Sequence, residues 1–352
     1  MTGSPTLVGD GIENAWNALT LQHAADMFGW NCRFRDRADL LKDWQAKQIP
    51  GSPSSAPWSD IRQQHHPIIA FDNGEGSRPL YGFRPESLDR LALVVGNERR
   101  GLARDVVHAA HHLVQVPMVS RRVNCLNVAA AGAVALYYLS KGGGGKLYSR
   151  ADPHRSRPEL LLVGAGDHVE LGSTIRSAAA FGWRRAFVED RAEVWFGGDR
   201  MKVSQGRAAA RRAKNSIRLV KAPADRRYAF DEACILSLRP GEQPLARTHL
   251  ARGPRQLVVL VDDQHVDVDR EDWSRLARRV RRATIDVPAA RADLIYHYRL
   301  TSTVALAEVA RQVGARPPKA RRGRRPPVYD RLLRTLLEDH GETVLLEDLA
   351  RY

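Results

Sequence analysis

The chain is 352 residues long, enough for two domains, and its 43% hydrophobic and 27% charged residues are the balance of a globular protein with real cores. A formal net charge of +15 suits a polyanionic partner, nucleic acid before others; the plainer alternative is an Arg-rich solvated surface. The three cysteines, Cys32, Cys125 and Cys234, are too scattered for a disulfide framework or a zinc site. They suit a reducing cytoplasm, and the polar start of the chain carries no signal-peptide pattern.

In chain order, Pro67 to Phe71 and Leu91 to Val95 are short buried-strand patterns. Asp105 to His112 and Asn127 to Leu139 follow as helices. The apolar stretch around Val128 to Leu139 is too short to span a bilayer, so no membrane is expected. Lys141 to Pro158, with four consecutive glycines and then polar and Pro residues, reads as a flexible tether. Leu160 to Val163 and Leu257 to Val261 are strands of the second half; Leu171 to Phe181 and Thr301 to Gln312 are its helices. Arg207 to Lys221 reads as one basic helix. From Ala315 a basic, Pro-rich arm leads into a short helical pattern over Tyr329 to Leu349. Strands alternating with helices predict an α/β protein, with a mainly parallel sheet covered on both faces in each half.

Two segments recur in the same order. Leu19 to Trp30 aligns with Gly172 to Trp183, both ending Phe-Gly-Trp, and Val116 onward aligns ungapped with Val287 onward. This is the signature of a duplicated domain. The expected boundaries are 1–142 for the first domain, 143–158 for the linker, 159–314 for the second domain and 315–352 for the tail.

The chemistry concentrates in the first half. Leu93 to Leu102 runs from a buried strand into Gly96, a polar turn and Gly101. The expected reason for Gly96 is close backbone approach to a ligand. Val116 to Leu139 carries Pro117, a loop, then Cys125-Leu126-Asn127 opening a helix of small residues. These segments resemble the second and third signature motifs of the SpoU (TrmH-like) branch of the SPOUT RNA methyltransferases. Gly96-Asn97-Glu98-Arg99-Arg100-Gly101 matches the family's Gly-x-Glu-x-x-Gly; Pro117-Met118 and Cys125-Leu126-Asn127 match its Pro-Met and Ser-Leu-Asn. Asn17, His23 and Phe28-Gly29 stand for the first motif's Asn, Arg and Phe-Gly.

The resemblance covers roughly Asn17 to Leu139. It implies a trefoil-knotted sheet, an S-adenosyl-L-methionine site and methyl transfer to a ribose 2′-hydroxyl of rRNA or tRNA. The implied cofactor residues are Val95, Gly96, Asn97, Gly101, Val116, Met118, Cys125 and Leu126; the implied catalytic ones are Asn17, His23, Glu98 and Asn127. His23 in place of the family's Arg is a base of suitable pKa, or else a mark of lost activity. The second half keeps Arg176 at the Arg position but has Glu170 for the Asn. It has Val261-Asp262-Asp263-Gln264 for the glycine turn, and Tyr296 and Tyr298 for Cys125 and Asn127. Its own site is therefore expected to be dead. SpoU enzymes resemble one another in working as dimers, so the fused pair is expected to be a monomer acting as an intramolecular pseudo-dimer, with Arg176 completing the first domain's site.

RNA contacts are expected from Arg207, Arg211, Arg212 and Lys214 and from Arg321, Arg322 and Arg324. The pairs His65-His66 and His111-His112 read as surface or loop residues, and no metal is expected. The alternative to the enzyme is a non-catalytic RNA-binding or assembly protein that retains the knotted fold.

Overall fold

The computed structural model describes residues 3–37, 54–74, 76–118, 125–140, 157–197, 199–210, 215–238, 242–250, 255–285, 298–313 and 343–345, with 39, 40 and 42. The chain divides into two compact units. One takes Met1–Pro117, Asn127–Leu147 and Val287–Leu300; the other takes Met118–Leu126, Tyr148–Asp286 and Thr301–Tyr352.

In the first unit the sheet consists of β1 (Thr6–Asp10), β2 (Asn31–Arg35), β3 (Ile68–Phe71), β4 (Arg78–Pro79), β5 (Ala92–Val95) and β6 (His112–Gln115), in the order β2-β1-β5-β3-β6-β4. Every pairing in it is parallel. A parallel strand covered on both faces has no polar side, which is why β1 and β5 are buried along their whole length. The helices are α1 (Ala15–Met27), α2 (Trp58–Gln64), α3 (Arg104–Ala109) and α4 (Val128–Ser140). The small residues of α4 let α1 come close: a Cβ on Gly132 would lie 3.0 Å from Leu21 Cδ2.

The second unit contains β7 (Glu159–Val163), α5 (His168–Ala180), β8 (Arg185–Glu189), α6 (Arg200–Ala210), β9 (Arg218–Lys221), β10 (Phe230–Ser237), β11 (Gln256–Val261), β12 (Ala277–Thr284), α7 (Tyr298–Val313) and β13 (Thr343–Leu345). Its sheet order is β12-β10-β11-β7-β8-β9-β13, parallel except for the last pair. Helices α5 and α6 cross with almost no space between them, since a Cβ on Gly172 would lie 2.1 Å from Gly206 O.

Both units repeat one plan. In the first, strands run β2-β1-β5-β3-β6; in the second, β8-β7-β11-β10-β12 follow the same sequence of out-and-back crossings. The repeated Phe-Gly-Trp has a physical role in each. Gly29 (φ 69°) and Gly182 (φ 96°) adopt the left-handed conformation after α1 and α5. Gly29 N donates to Asp26 O and Trp30 N to Ala25 O; Gly182 N donates to Ala179 O and Trp183 N to Ala178 O. This is a Schellman cap made twice by the same three residues.

Three sequence expectations need correction. Arg207–Lys221 is not one helix: α6 stops at Ala210 and Arg218–Lys221 is strand β9. Asn215 supplies the break, donating its Nδ2 to Ala210 O and accepting Ile217 N at Oδ1. Burial of Leu219 and Val220 then rewards sheet pairing over further helix. Within the helical pattern assigned to Tyr329–Leu349, Thr343–Leu345 forms a strand antiparallel to β9, using that strand's free backbone groups. The helix assigned to Asp105–His112 ends at Ala109, and His112 opens β6, packed against Phe83 with ring centroids 5.1 Å apart. His66 and His111 meet edge to face and are exposed.

Candidate functional site

Three loops leave the carboxyl ends of adjacent strands in the first unit. Phe71, the last residue of β3, is level with Val95 of β5 on one side and Val114 of β6 on the other. The loops starting at Asp72, Gly96 and Val116 therefore emerge side by side, within roughly 10 Å. In open parallel sheets this edge, where the strand order turns back, is where ligands bind.

The loop after β5 is a closed turn. Asn97 N donates to Gly101 O at 2.9 Å and Gly101 N returns to Asn97 O at 3.0 Å. Asn97 Oδ1 accepts Arg99 N and Arg100 N at 2.8 and 2.9 Å, while its Nδ2 donates to Gly11 O at 2.6 Å. Gly101 has φ 70°, the left-handed region that glycine occupies without strain. Gly96 is required for a reason other than the expected one. Its Cβ would stand 2.4 Å from both Gly101 C and Leu102 N, so the turn's own backbone, not a ligand, occupies the space.

Three of the expected catalytic residues are joined in one hydrogen-bonded chain. Asn17 Nδ2 donates to Glu98 Oε1 at 2.6 Å, and Asn127 Nδ2 donates to Asn17 Oδ1 at 3.0 Å. Asn127 Oδ1 in turn accepts Ala129 N at 3.0 Å, so the same amide caps α4. The other oxygen of Glu98 accepts Glu13 N at 3.4 Å. Asn17 is thus the hinge between two segments 81 and 110 residues away in sequence. His23 is half-buried, six residues further along α1, which turns it about 120° around the helix onto another face.

Of the expected cofactor residues, Val95, Val116 and Leu126 are buried, and Gly96, Asn97, Gly101, Met118 and Cys125 are half-buried. Arg176 is buried in α5, with 7% of its surface exposed. Among the expected RNA contacts, Arg207 is half-buried on α6; Arg211, Arg212, Lys214, Arg321, Arg322 and Arg324, like Tyr296, lie outside the described residues.

Sequence reading missed Asp10 and Arg35. Asp10, at the end of β1 and 1% exposed, accepts Ala103 N at 2.9 Å and ties the exit of the turn back to the sheet. Arg35 lies 3.6 Å from Asp10 and forks onto Asp105 at 3.0 and 2.7 Å, holding that carboxyl below its usual pKa. The signal was there in principle, as an acid ending a short run of otherwise uncharged residues.

In the second unit the loops after β7 and β11 meet. The His265 ring lies over Gly166, whose Cβ would sit 2.4 Å from it, and His265 Nδ1 is 2.9 Å from Asp262 Oδ2. Burial raises the Asp262 pKa, and His265 opposes that shift. Among the described residues no cluster of three or more metal-ligating side chains occurs, and no helix is long and apolar enough to cross a membrane.

Residues 51–137, which contain the turn and the Asn127 cap, match the model of the SpoU rRNA Methylase family. This stretch is similar to the SpoU family. Among solved structures the chain is similar to the SpoU methyltransferase AviRb from Streptomyces viridochromogenes, with 17% identity over 39% of this chain and 57% of that one and a TM-score of 0.30. It is also similar to an AdoMet-bound rRNA methyltransferase from Sinorhizobium meliloti, with 22% identity, coverage of 39% and 56%, and a TM-score of 0.32. An RNA 2′-O ribose methyltransferase structure matches at 21% identity, coverage of 39% and 55%, and a TM-score of 0.32. The chain therefore spans less than three fifths of these structures. No curated protein matches it.

Proposed function

We propose that this protein is an S-adenosylmethionine-dependent RNA methyltransferase that modifies a ribose 2′-hydroxyl of rRNA or tRNA through its first unit. The observation that carries the reading is the Asn17–Glu98–Asn127 chain, which knits three separated motifs into one arrangement and ties Asn17 to two residues of the stretch that matches the SpoU family model. The cofactor, when bound, supplies a methyl group made electrophilic by its sulfonium.

The residues present suit such a ligand. Val95 ends β5 and Val116 follows β6, on either side of β3, and they offer apolar ground for a base-sized ring. The Gly96–Gly101 turn is rigid through its own backbone pairing. Within the first unit we assign the holding role to this turn and to Val116. Asn17 fixes the Glu98 carboxylate in one orientation, and Asn127 fixes Asn17 while anchoring α4. Ordered polar groups of this kind lower the barrier by positioning the acceptor before reaction. In the second unit Val261-Asp262-Asp263-Gln264 stands for the glycine turn and lacks both glycines, which supports a single cofactor site per chain.

The test is incubation of the full chain with methyl-labelled S-adenosylmethionine and separate rRNA and tRNA pools, then mass analysis of the digested nucleosides. A 2′-O-methylated nucleoside is expected. Label on a base would overturn the acceptor assignment. Absence of label, with RNA still bound, would leave the non-catalytic RNA-binding reading.

A further inference from the structure

Three large apolar side chains among the described residues are markedly exposed: Trp16, Val107 and Met201. A scattered surface Leu or Val needs no explanation. Trp16 is different in kind and in place. It is an aromatic ring with 58% of its surface in solvent, and its chain neighbour is Asn17, the hinge of the candidate site. Its backbone is firmly set, since Trp16 O accepts the Thr20 hydroxyl at 2.6 Å within α1.

Exposed arginines sit on the segments tied to the stretch that leads into α1. Glu13, just before the start of α1, pairs with Arg100, whose side chain is 76% exposed. Arg99 is exposed at the tip of the same turn, fixed only through its backbone N–H on Asn97 Oδ1. Arg37 is exposed on the far flank. A Cβ on Gly11 would be 3.7 Å from its Cδ, and the Gly11 carbonyl holds Asn97. An open aromatic face with exposed arginines on the adjoining segments is a combination that takes up single-stranded nucleic acid, by base stacking and phosphate contact together.

We propose that Trp16 is a stacking platform for an unpaired RNA base next to the nucleotide placed at Asn17 and Glu98, with Arg99 meeting a neighbouring phosphate. The inference rests on the reading of the first unit as an RNA-modifying site, and it adds the form of the substrate: a loop, bulge or end, not a regular duplex. Stacking is tolerant of sequence, so Trp16 gives local geometry and affinity more than base choice.

The experiment is anisotropy titration of the full chain with a labelled single-stranded RNA of about twelve nucleotides, a length within the usual site range. Wild type, Trp16→Ala, Trp16→Phe and Arg99→Ala are compared across a salt series. Loss of one base–aromatic stack should weaken binding about 5- to 100-fold in Trp16→Ala, with the salt slope unchanged. Trp16→Phe should recover most of the affinity. Arg99→Ala should lower the slope by about 0.7, the share of one phosphate contact on a single strand. Equal affinity of Trp16→Ala and wild type overturns the proposal, as does an equal loss on duplex RNA, and the ring is then a surface residue or a protein contact. Calorimetry with S-adenosylmethionine separates the two readings. If the cofactor fails to bind while Trp16→Ala still weakens RNA binding, the enzyme reading falls and this one stands. Intact cofactor binding with indifferent Trp16 gives the reverse.

Discussion

Replacing Gly96 by alanine adds a single methyl group where no room exists. The new Cβ would lie 2.4 Å from Gly101 C and Leu102 N and 2.6 Å from Gly101 O, all backbone atoms that no rotamer change can move. Relief requires opening the Asn97–Gly101 pair, two hydrogen bonds worth about 1 kcal/mol each. Overpacking adds about 1–3 kcal/mol, for a total of about 3–5 kcal/mol. That is a large part of the stability of an ordinary domain. Urea unfolding of the first unit should show its midpoint lowered by about 1.5–2.5 M at a slope of about 2 kcal/mol per M. Gly74→Ala is the matched control on the neighbouring loop, where the added Cβ would meet only Leu113 Cδ2 at 3.8 Å, an ordinary contact. It should be neutral or slightly stabilising. A Gly96→Ala midpoint indistinguishable from that of Gly74→Ala would refute the reasoning that this turn is closed by its own backbone.

Asn17→Ala strips Glu98 and Asn127 of a shared partner; it should cost about 1–3 kcal/mol in thermal or urea unfolding and nearly all methyl transfer. Full turnover in that variant would count against the hydrogen-bonded chain as the organising element. Arg35 holds the Asp105 carboxyl below its usual pKa, so the pair stabilises above the ordinary carboxylate range and is lost as pH falls through the lowered folded value. Both side chains are partly exposed, which limits the effect to about 0.2–1 kcal/mol. Asp105→Asn should show a correspondingly smaller loss of stability on acidification below about pH 4, and an unaltered acid limb would contradict it.

Much of the architecture was legible because its signals are periodic and local. Ile68–Phe71, Ala92–Val95, Glu159–Val163 and Gln256–Val261 are runs of apolar residues that only a two-sided sheet can bury, and each is a strand within a residue of its expected bounds. Phe-Gly-Trp at the ends of α1 and α5 is read as a repeat in sequence and as a repeated cap in structure. What escaped was decided by tertiary partners. Nothing local to Arg218–Lys221 forbids a helix; β8 beside it and the Asn215 break decide the matter. The necessity of Gly96 was visible, but its cause depends on where Gly101 and Leu102 fold back. Asn17, Glu98 and Asn127 were each picked from motif positions, yet only the fold brings together residues this far apart in the chain. Trp16 drew no notice, since a tryptophan in an amphipathic stretch usually faces the core.

The most direct test of the account is calorimetric titration of the full chain with S-adenosylmethionine, in parallel with Gly96→Ala shown to be folded by circular dichroism. One cofactor per chain, with binding lost in the variant, is the predicted result. Two cofactors per chain, or none in a folded wild-type protein, would contradict the claim that the first unit alone holds the methyl donor.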